Sequence, residues 1–256
     1  MNNLFDLEDI GEFNEDEEVN KTFKKLTYKY FPKSRLELIK CIALEMQSQK
    51  PRVFAEFKEF KEAHKDNKFF KYEKFIPTID LNSICTTEVT SMSDILFGVN
   101  KWWNYDVSGW DVSNVEDMRG MFEGCAYFDC DLSSWGPHLG KVKSMASMFK
   151  ECYRFKHSLS NWDVSSVEDM SHMFEECIAF DQPIDGWDVR KVQDMTRMFY
   201  KAMIFNQSLN KWKPYRVKKA KEMFTFASLF EDKNKNLKAF SKFPDIMSMP
   251  SLTNGH

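Results

Sequence analysis

Residues 162–177 read WDVSSVEDMSHMFEEC, and the same frame returns as WDVSNVEDMRGMFEGC at 110–125 and WDVRKVQDMTRMFYKA at 187–202. Anchoring each unit on its bulky first residue gives Ile84, Trp110, Trp135, Trp162, Trp187 and Trp212, with spacings of 26, 25, 27, 25 and 25. A fixed period of this length is the mark of stacked repeats, in which no single unit buries its apolar face alone. Five residues after the anchor stands Val89, Val115, Val167, Val192 or Val217. Three further on come Met92, Met118, Met170, Met195 or Ala220, followed by a hydrophobic pair such as Met173-Phe174. The unit at Trp135 keeps the series as Val142, Met145 and Met148-Phe149 after two added residues.

Two local patterns alternate inside each unit. From Met118 through Met121, Phe122 and Cys125 the apolar steps are three, one and three residues, the spacing of one face over two helical turns. Asp117, Asp169 and Asp194, with Ser91 and Ser144 at the equivalent place, precede that face and read as helix N-caps. The other pattern, as in Leu159-Ser-Asn-Trp162-Asp-Val164, puts Trp and Val two apart and predicts a short strand that pairs in parallel with its copies. The expected fold class is therefore an α/β repeat solenoid of short parallel strands and short helices, preceded by a small α-helical region.

The remaining chain supplies the flanks. Residues 1–18 carry eight Asp or Glu and no Lys or Arg, with Leu4, Phe5, Leu7 and Ile10 among them, and read as an acidic tail. Residues 19–83 reverse the sign, with fifteen Lys or Arg against eight Asp or Glu, and read as a basic helical cap on the solenoid. There Ser34 and Glu37 form a capping box ahead of Leu36, Ile39, Ile42, Ala43 and Met46. A second helix is expected to begin near Pro51 and to bury Val53, Phe54, Phe57 and Phe60. Repeats occupy 84–240, and 241–256 form a C-terminal tail. Ile84 opens an atypical first unit, and the last one has Ala220 and Lys219 where others have Met and a cap, as exposed ends require.

Net charge of −3 gives no global reason to expect nucleic acid or an anionic membrane as partner. No stretch approaches the roughly 18 apolar residues of a membrane span, and the acidic start lacks a basic n-region and an apolar core. The expectation is an intracellular, cytoplasmic protein, or a virion protein if its source is a virus. The six cysteines contain no CxxC pair and read as reduced thiols.

The runs quoted above, each leading to Phe, a turn such as FDQPI or FNQSL and another Trp, resemble the BspA-like repeats also described as the mycoplasma lipoprotein or DUF285 repeat. That family belongs with the leucine-rich repeats. The resemblance implies a right-handed, curved solenoid used for protein binding or adhesion, and it carries over no catalytic residue. Its repeats also occur in protists and large DNA viruses, whereas its bacterial members are typically exported.

Candidate chemistry is sparse. Cys125, Cys152 and Cys177 share one position that becomes Ala202 and Ala227 in the next units, which marks a small core site rather than a metal ladder with His157 and His172. No nucleophile-His-acid set, phosphate-cradling glycine loop or paired-carboxylate cleft is found, so no enzyme, cofactor or metal is expected. The structural anchors are Trp110, Trp135, Trp162, Trp187 and Trp212. The expected partner-binding, concave face carries Asp111, Ser113, Asp163, Ser165, Asp188 and Arg190, becoming basic at Lys213 and Tyr215, with an insertion loop at Pro137 and His138. The function so read is a non-enzymatic protein-interaction scaffold. The alternatives are a structural component of a larger assembly, such as a minor capsid or virion protein, and nucleic-acid binding through the Lys-rich helices.

Overall fold

The computed structural model describes residues 28–63, 76–97, 99, 103–230 and 240–247. The acidic tail expected at 1–18, the start of the basic region and most of the C-terminal tail lie outside these residues.

Helix α1 spans Arg35–Ala63. It starts where the sequence marks it: the Glu37 N–H donates to Ser34 Oγ at 3.3 Å, and the Glu37 carboxylate accepts the Lys33 N–H at 2.7 Å. Contrary to the expected break, the helix runs through Pro51. Pro51 removes one backbone donor, but side chains on either side of it tie the helix to the neighbouring strand. Arg52 donates to Gln49 and Glu56 and to the Thr78 carbonyl at 3.0 Å, and Gln49 Oε1 accepts the Asp80 N–H at 3.1 Å. The buried face is Leu38, Cys41, Ile42, Ala43 and Val53, whereas Leu36 and Phe54, expected inside, are exposed.

Strands β1 (Thr78–Asp80) and β2 (Asn104–Asp106) pair in parallel, Ile79 opposite Tyr105. The array thus begins before Ile84, within the stretch assigned by sequence to the helical cap. Beyond β2 the units are joined by a column of single parallel pairings: Ser91 with Asp117, Asp117 with Ser144, Ser144 with Asp169, Asp169 with Asp194, and Asp194 with Lys219. The pairing therefore falls on the residues expected to be helix caps, and not on the Trp-x-Val segments.

The expected helices after these residues are absent; residues 118–125 and their equivalents are consecutive tight turns. Two sets of hydrogen bonds alternate along them. The N–H groups of Met118, Gly120, Phe122 and Gly124 donate to Ser144, Ala146, Met148 and Lys150 of the next unit at 2.8–3.0 Å. Those of Met121, Glu123 and Cys125 donate three residues back within their own unit. The next units repeat this, as in Met170 to Asp194, His172 to Thr196, Phe174 to Met198 and Glu176 to Tyr200. A helix would direct every one of these N–H groups along its own axis; here half of them join neighbours. The geometry needs a positive φ at every fourth residue, met by Gly120 and Gly124 in one unit and by Ser147, Glu151, His172, Glu176, Arg197 and Lys201 in the following ones.

The interior is built of matched columns. Phe122, Phe149, Phe174, Phe199 and Phe224 stack at centroid distances of 5.5–5.6 Å. Phe128, Phe155, Phe180, Phe205 and Phe230 form a second stack at 5.9–6.1 Å. Within each unit the two rings lie face to face, as in Phe174 and Phe180 at 4.2 Å. Burying such a side chain contributes about 1.5–3 kcal/mol, so the double stack is a principal source of cohesion. All five Trp anchors are buried beside it, and so are Cys125, Cys152 and Cys177. Burial pushes the Cys125 thiol up to about 12. Cys152 Sγ donates to the Phe122 carbonyl at 3.1 Å and Cys177 Sγ to the Cys152 carbonyl at 3.2 Å, so the column bridges units.

Candidate partner-binding face

The residues of the expected face stand on turns at one corner of each unit, rather than on a strand. Asp111 Oδ1 accepts the Ser113 N–H at 2.9 Å, Asp163 Oδ1 the Ser165 N–H at 3.1 Å, and Asp188 Oδ1 the Arg190 N–H at 3.2 Å. These are Asx turns, in which the side chain stands in for a backbone acceptor. One carboxylate oxygen is thereby committed to fixing the corner, and the other is left to meet solvent or a neighbour.

The same local bond recurs at two other columns. Asp106 and Asp131 accept from Ser108 and Ser133, both at 2.9–3.0 Å. Asp117, Asp169 and Asp194 accept from Arg119, Ser171 and Thr196 at 2.9–3.0 Å. Asp-x-Ser/Thr is the sequence signal for six of these turns, and Arg119 and Arg190 replace the Ser or Thr in the other two. The expected helix caps Asp117, Asp169 and Asp194 are acceptors of first-turn N–H groups, as a cap would be, but on a turn and not a helix.

Asp163, Asp188 and Lys213 follow buried Trp162, Trp187 and Trp212 in consecutive units, so the structure does bring them into one row. Asp111 is set apart by the unit at Trp135, where Gly136 takes the equivalent place and is buried. A Cβ at Gly136 would lie 2.7 Å from the Asn161 backbone oxygen, which explains why the row has no side chain there. The chain around the Trp135 anchor forms a 3₁₀ helix, Ser133–His138, which puts Pro137 and His138 at the surface.

Electrostatics divides the row. Arg190 donates to both oxygens of Asp188, at 2.8 and 2.6 Å, and this pair holds the Asp188 carboxyl below the usual carboxylate range. Asp163 and Ser165 carry no such cation beside them among the described residues. At the basic end Tyr215 is 71% exposed, and Lys213 and Arg216 are exposed beside it. A second exposed feature was not anticipated: Tyr153, Ile178 and Met203 occupy one position in three successive units, with Ile204 and Leu229 alongside. Its signal lay in the residue following the Cys125, Cys152 and Cys177 column.

Among the described residues no group of three or more His, Cys, Asp or Glu is placed to hold a metal ion, and no helix is long and apolar enough to cross a membrane. Comparison with curated proteins and with solved structures found no match. The family model described as "Mycoplasma protein of unknown function, DUF285" matches residues 63–138 and 137–240, more than half of the chain and nearly the whole of the repeat array. The first match begins before Ile84, in agreement with the pairing of β1 and β2. By its repeats and the extent of this match, the chain belongs to the DUF285 family.

Proposed function

We propose that the array is a solenoid and that the chain is a non-enzymatic scaffold, which meets a protein partner with the row running from Asp163 through Asp188 and Arg190 to Lys213 and Tyr215. The observation that carries this reading is the constancy of the frame beneath a variable surface. Successive units keep Trp, Val, Met and Phe inside while the side chain after the Trp changes from Asp to Lys. Specificity in repeat proteins resides in such free positions. The exposed aliphatic column of Ile178, Met203, Ile204 and Leu229 also favours a protein partner, since contiguous apolar surface of this kind marks interaction sites.

The test uses the full chain as bait in native extracts, alongside a variant carrying Asp163→Lys, Asp188→Lys and Lys213→Glu. The expected result is a protein retained by the unaltered chain and lost from the variant, with both folded by circular dichroism at the temperature of the assay. Losing the Asp163 and Asp188 turns should lower the variant's melting temperature by only a few degrees. Equal retention by the two baits would remove the row from the function.

A further inference from the structure

Charge alternates from unit to unit. Residues 110–134 carry six Asp or Glu against Arg119; residues 135–161 carry five Lys or Arg against Glu151; residues 162–186 carry seven Asp or Glu and no Lys or Arg. Ion pairs cross these boundaries: Lys150 with Glu123 at 2.9 Å, Lys156 with Asp129 at 2.8 Å, Lys201 with Glu176 at 2.5 Å and Lys211 with Asp185 at 3.2 Å. The alternation fails at the end. Residues 187–211 carry five Lys or Arg against two Asp, and residues 212–230 that follow are basic again, with five Lys or Arg against Glu222.

The surplus cations gather at one place. Gln193, Tyr215, Arg216, Val217, Lys218 and Lys242 line an open groove of about 480 Å³. Among the described residues Lys218 reaches the neutral Gln193 amide at 2.9 Å, Lys242 reaches the Val217 carbonyl at 2.9 Å and lies 5.0 Å from the centroid of the Phe243 ring, and none of Lys218, Lys242, Arg216 and nearby Lys213 has an ion-pair partner. Four cations beside an exposed tyrosine make a site for an anionic peptide with apolar side chains. The carboxylates would meet the guanidinium and ammonium groups, and the apolar residues the tyrosine ring and the aliphatic stems of the lysines.

We propose that the occupant of this groove is the chain's own amino-terminal stretch, residues 1–18, docked in cis. That stretch has the required chemistry, with eight Asp or Glu, no Lys or Arg, and Leu4, Phe5, Leu7 and Ile10. It also has the reach. The described chain begins at Tyr28 beside the first unit, and five unit steps separate that unit from the groove. At the 5.5–6.1 Å per unit set by the phenylalanine stacks, this is about 30 Å along the array, a distance that residues 19–27 alone nearly cover when extended. The lysines of α1 are a weaker target, because they alternate with Glu56, Glu59 and Glu62. Docking covers Lys213 and Tyr215, so an acidic partner would have to displace the stretch; the proposal stands whether or not the row binds such a partner.

Zero-length carbodiimide cross-linking of the full chain at low protein concentration, followed by peptide mapping, tests this. At low salt, carboxylates within residues 6–18 are expected to join Lys213, Lys218 or Lys242 in monomeric product. The cross-links should disappear near 1 M salt, where the screening length falls to about 3 Å. Arg216→Glu with Lys218→Glu should lower their yield roughly tenfold, and so should neutralising Asp6, Glu8 and Asp9 to amides, which leaves the array untouched. Cross-links to α1 lysines instead, cross-links confined to covalent dimers, salt-insensitive yields, or none between the stretch and the groove would each overturn the proposal.

Discussion

At the residue scale the tryptophans show what holds one unit to the next. Trp162 Nε1–H donates to the Leu132 carbonyl at 3.2 Å, Trp187 to Leu159 at 2.9 Å and Trp212 to Ile184 at 2.9 Å, each reaching the residue three before the preceding unit's Trp. Trp135 is the exception: its Nε1 is buried with no hydrogen-bond partner among the described residues. The 3₁₀ helix Ser133–His138 lies around this ring. Trp187→Phe should therefore remove one of the two hydrogen bonds to the Leu159 carbonyl, which keeps that from the Trp162 N–H at 3.1 Å, and cost about 0.5–1.5 kcal/mol beyond the lost ring area. Trp135→Phe loses no bond and removes an unpaired donor, so its cost should be smaller by about 1 kcal/mol or more. Urea unfolding of the two variants checks this, and equal losses would mean that the indole bonds contribute nothing to cohesion between units.

At the scale of the element, the period, the core columns and the small site shared by Cys and Ala were legible in the sequence, because burial at fixed spacing writes itself into residue type. The backbone between Met118 and Cys125 was not. Apolar steps of three, one and three fit two helical turns as well as they fit successive tight turns. The difference lies in the sign of φ at positions 120 and 124 and their equivalents. Only the unit at Trp110 shows it openly, with Gly120 and Gly124 four residues apart; the others place Ser147, Glu151, His172 or Glu176 there, where the side chain conceals the conformation. The sign of one substitution separates the two backbones. Gly124 has φ +77 and open space around it, so Gly124→Ala should destabilise by about 1 kcal/mol; in a helix the same change would stabilise by about as much. Thermal denaturation decides.

The row from Asp163 to Lys213 could be read from the sequence as a set of positions but not as a kind of backbone, since Asp163 and Ser165 alternate like a strand while forming an Asx turn. The turn has a pH signature. Hydrogen bonds from Arg190 lower the Asp188 pKa, so its stabilisation is complete above the unfolded carboxylate value of about 3.9 and is lost as pH falls through the lower folded value. Asp188→Asn should accordingly cost under about 1 kcal/mol near pH 7, as expected for a partly exposed pair. The difference from the unaltered chain should close towards pH 2 in denaturant titrations. A difference that persisted there would assign the effect to the turn geometry and not to the charge.

For the whole molecule, both ends of the array are covered. At one end Tyr30 pairs with Ile84, the Cys85 N–H donates to the Tyr30 carbonyl at 2.8 Å, and Arg35 of α1 reaches the Ser93 carbonyl. At the other, the 3₁₀ helix Pro244–Met247 offers the carbonyls of Asp245 and Ile246 to the N–H groups of Glu222 and Phe224 at 2.8 and 3.1 Å, as a further unit would. Each cap therefore closes a parallel ladder that is otherwise open to extension. A chain ending at Phe230 presents free donors, but any second copy still has α1 over its complementary end. It should remain monomeric and lose about 2–5 kcal/mol with the burial of Phe240 and its surroundings. A chain trimmed at both ends, to residues 76–230, exposes complementary surfaces related by a head-to-tail operation that does not close. Such a contact propagates as an open filament. Light scattering against concentration should show growth for the doubly trimmed chain and none for the singly trimmed one. Growth in both would mean that α1 does not shield the first unit, and growth in neither that the ladder bonds are too weak without the chain connection to join separate molecules.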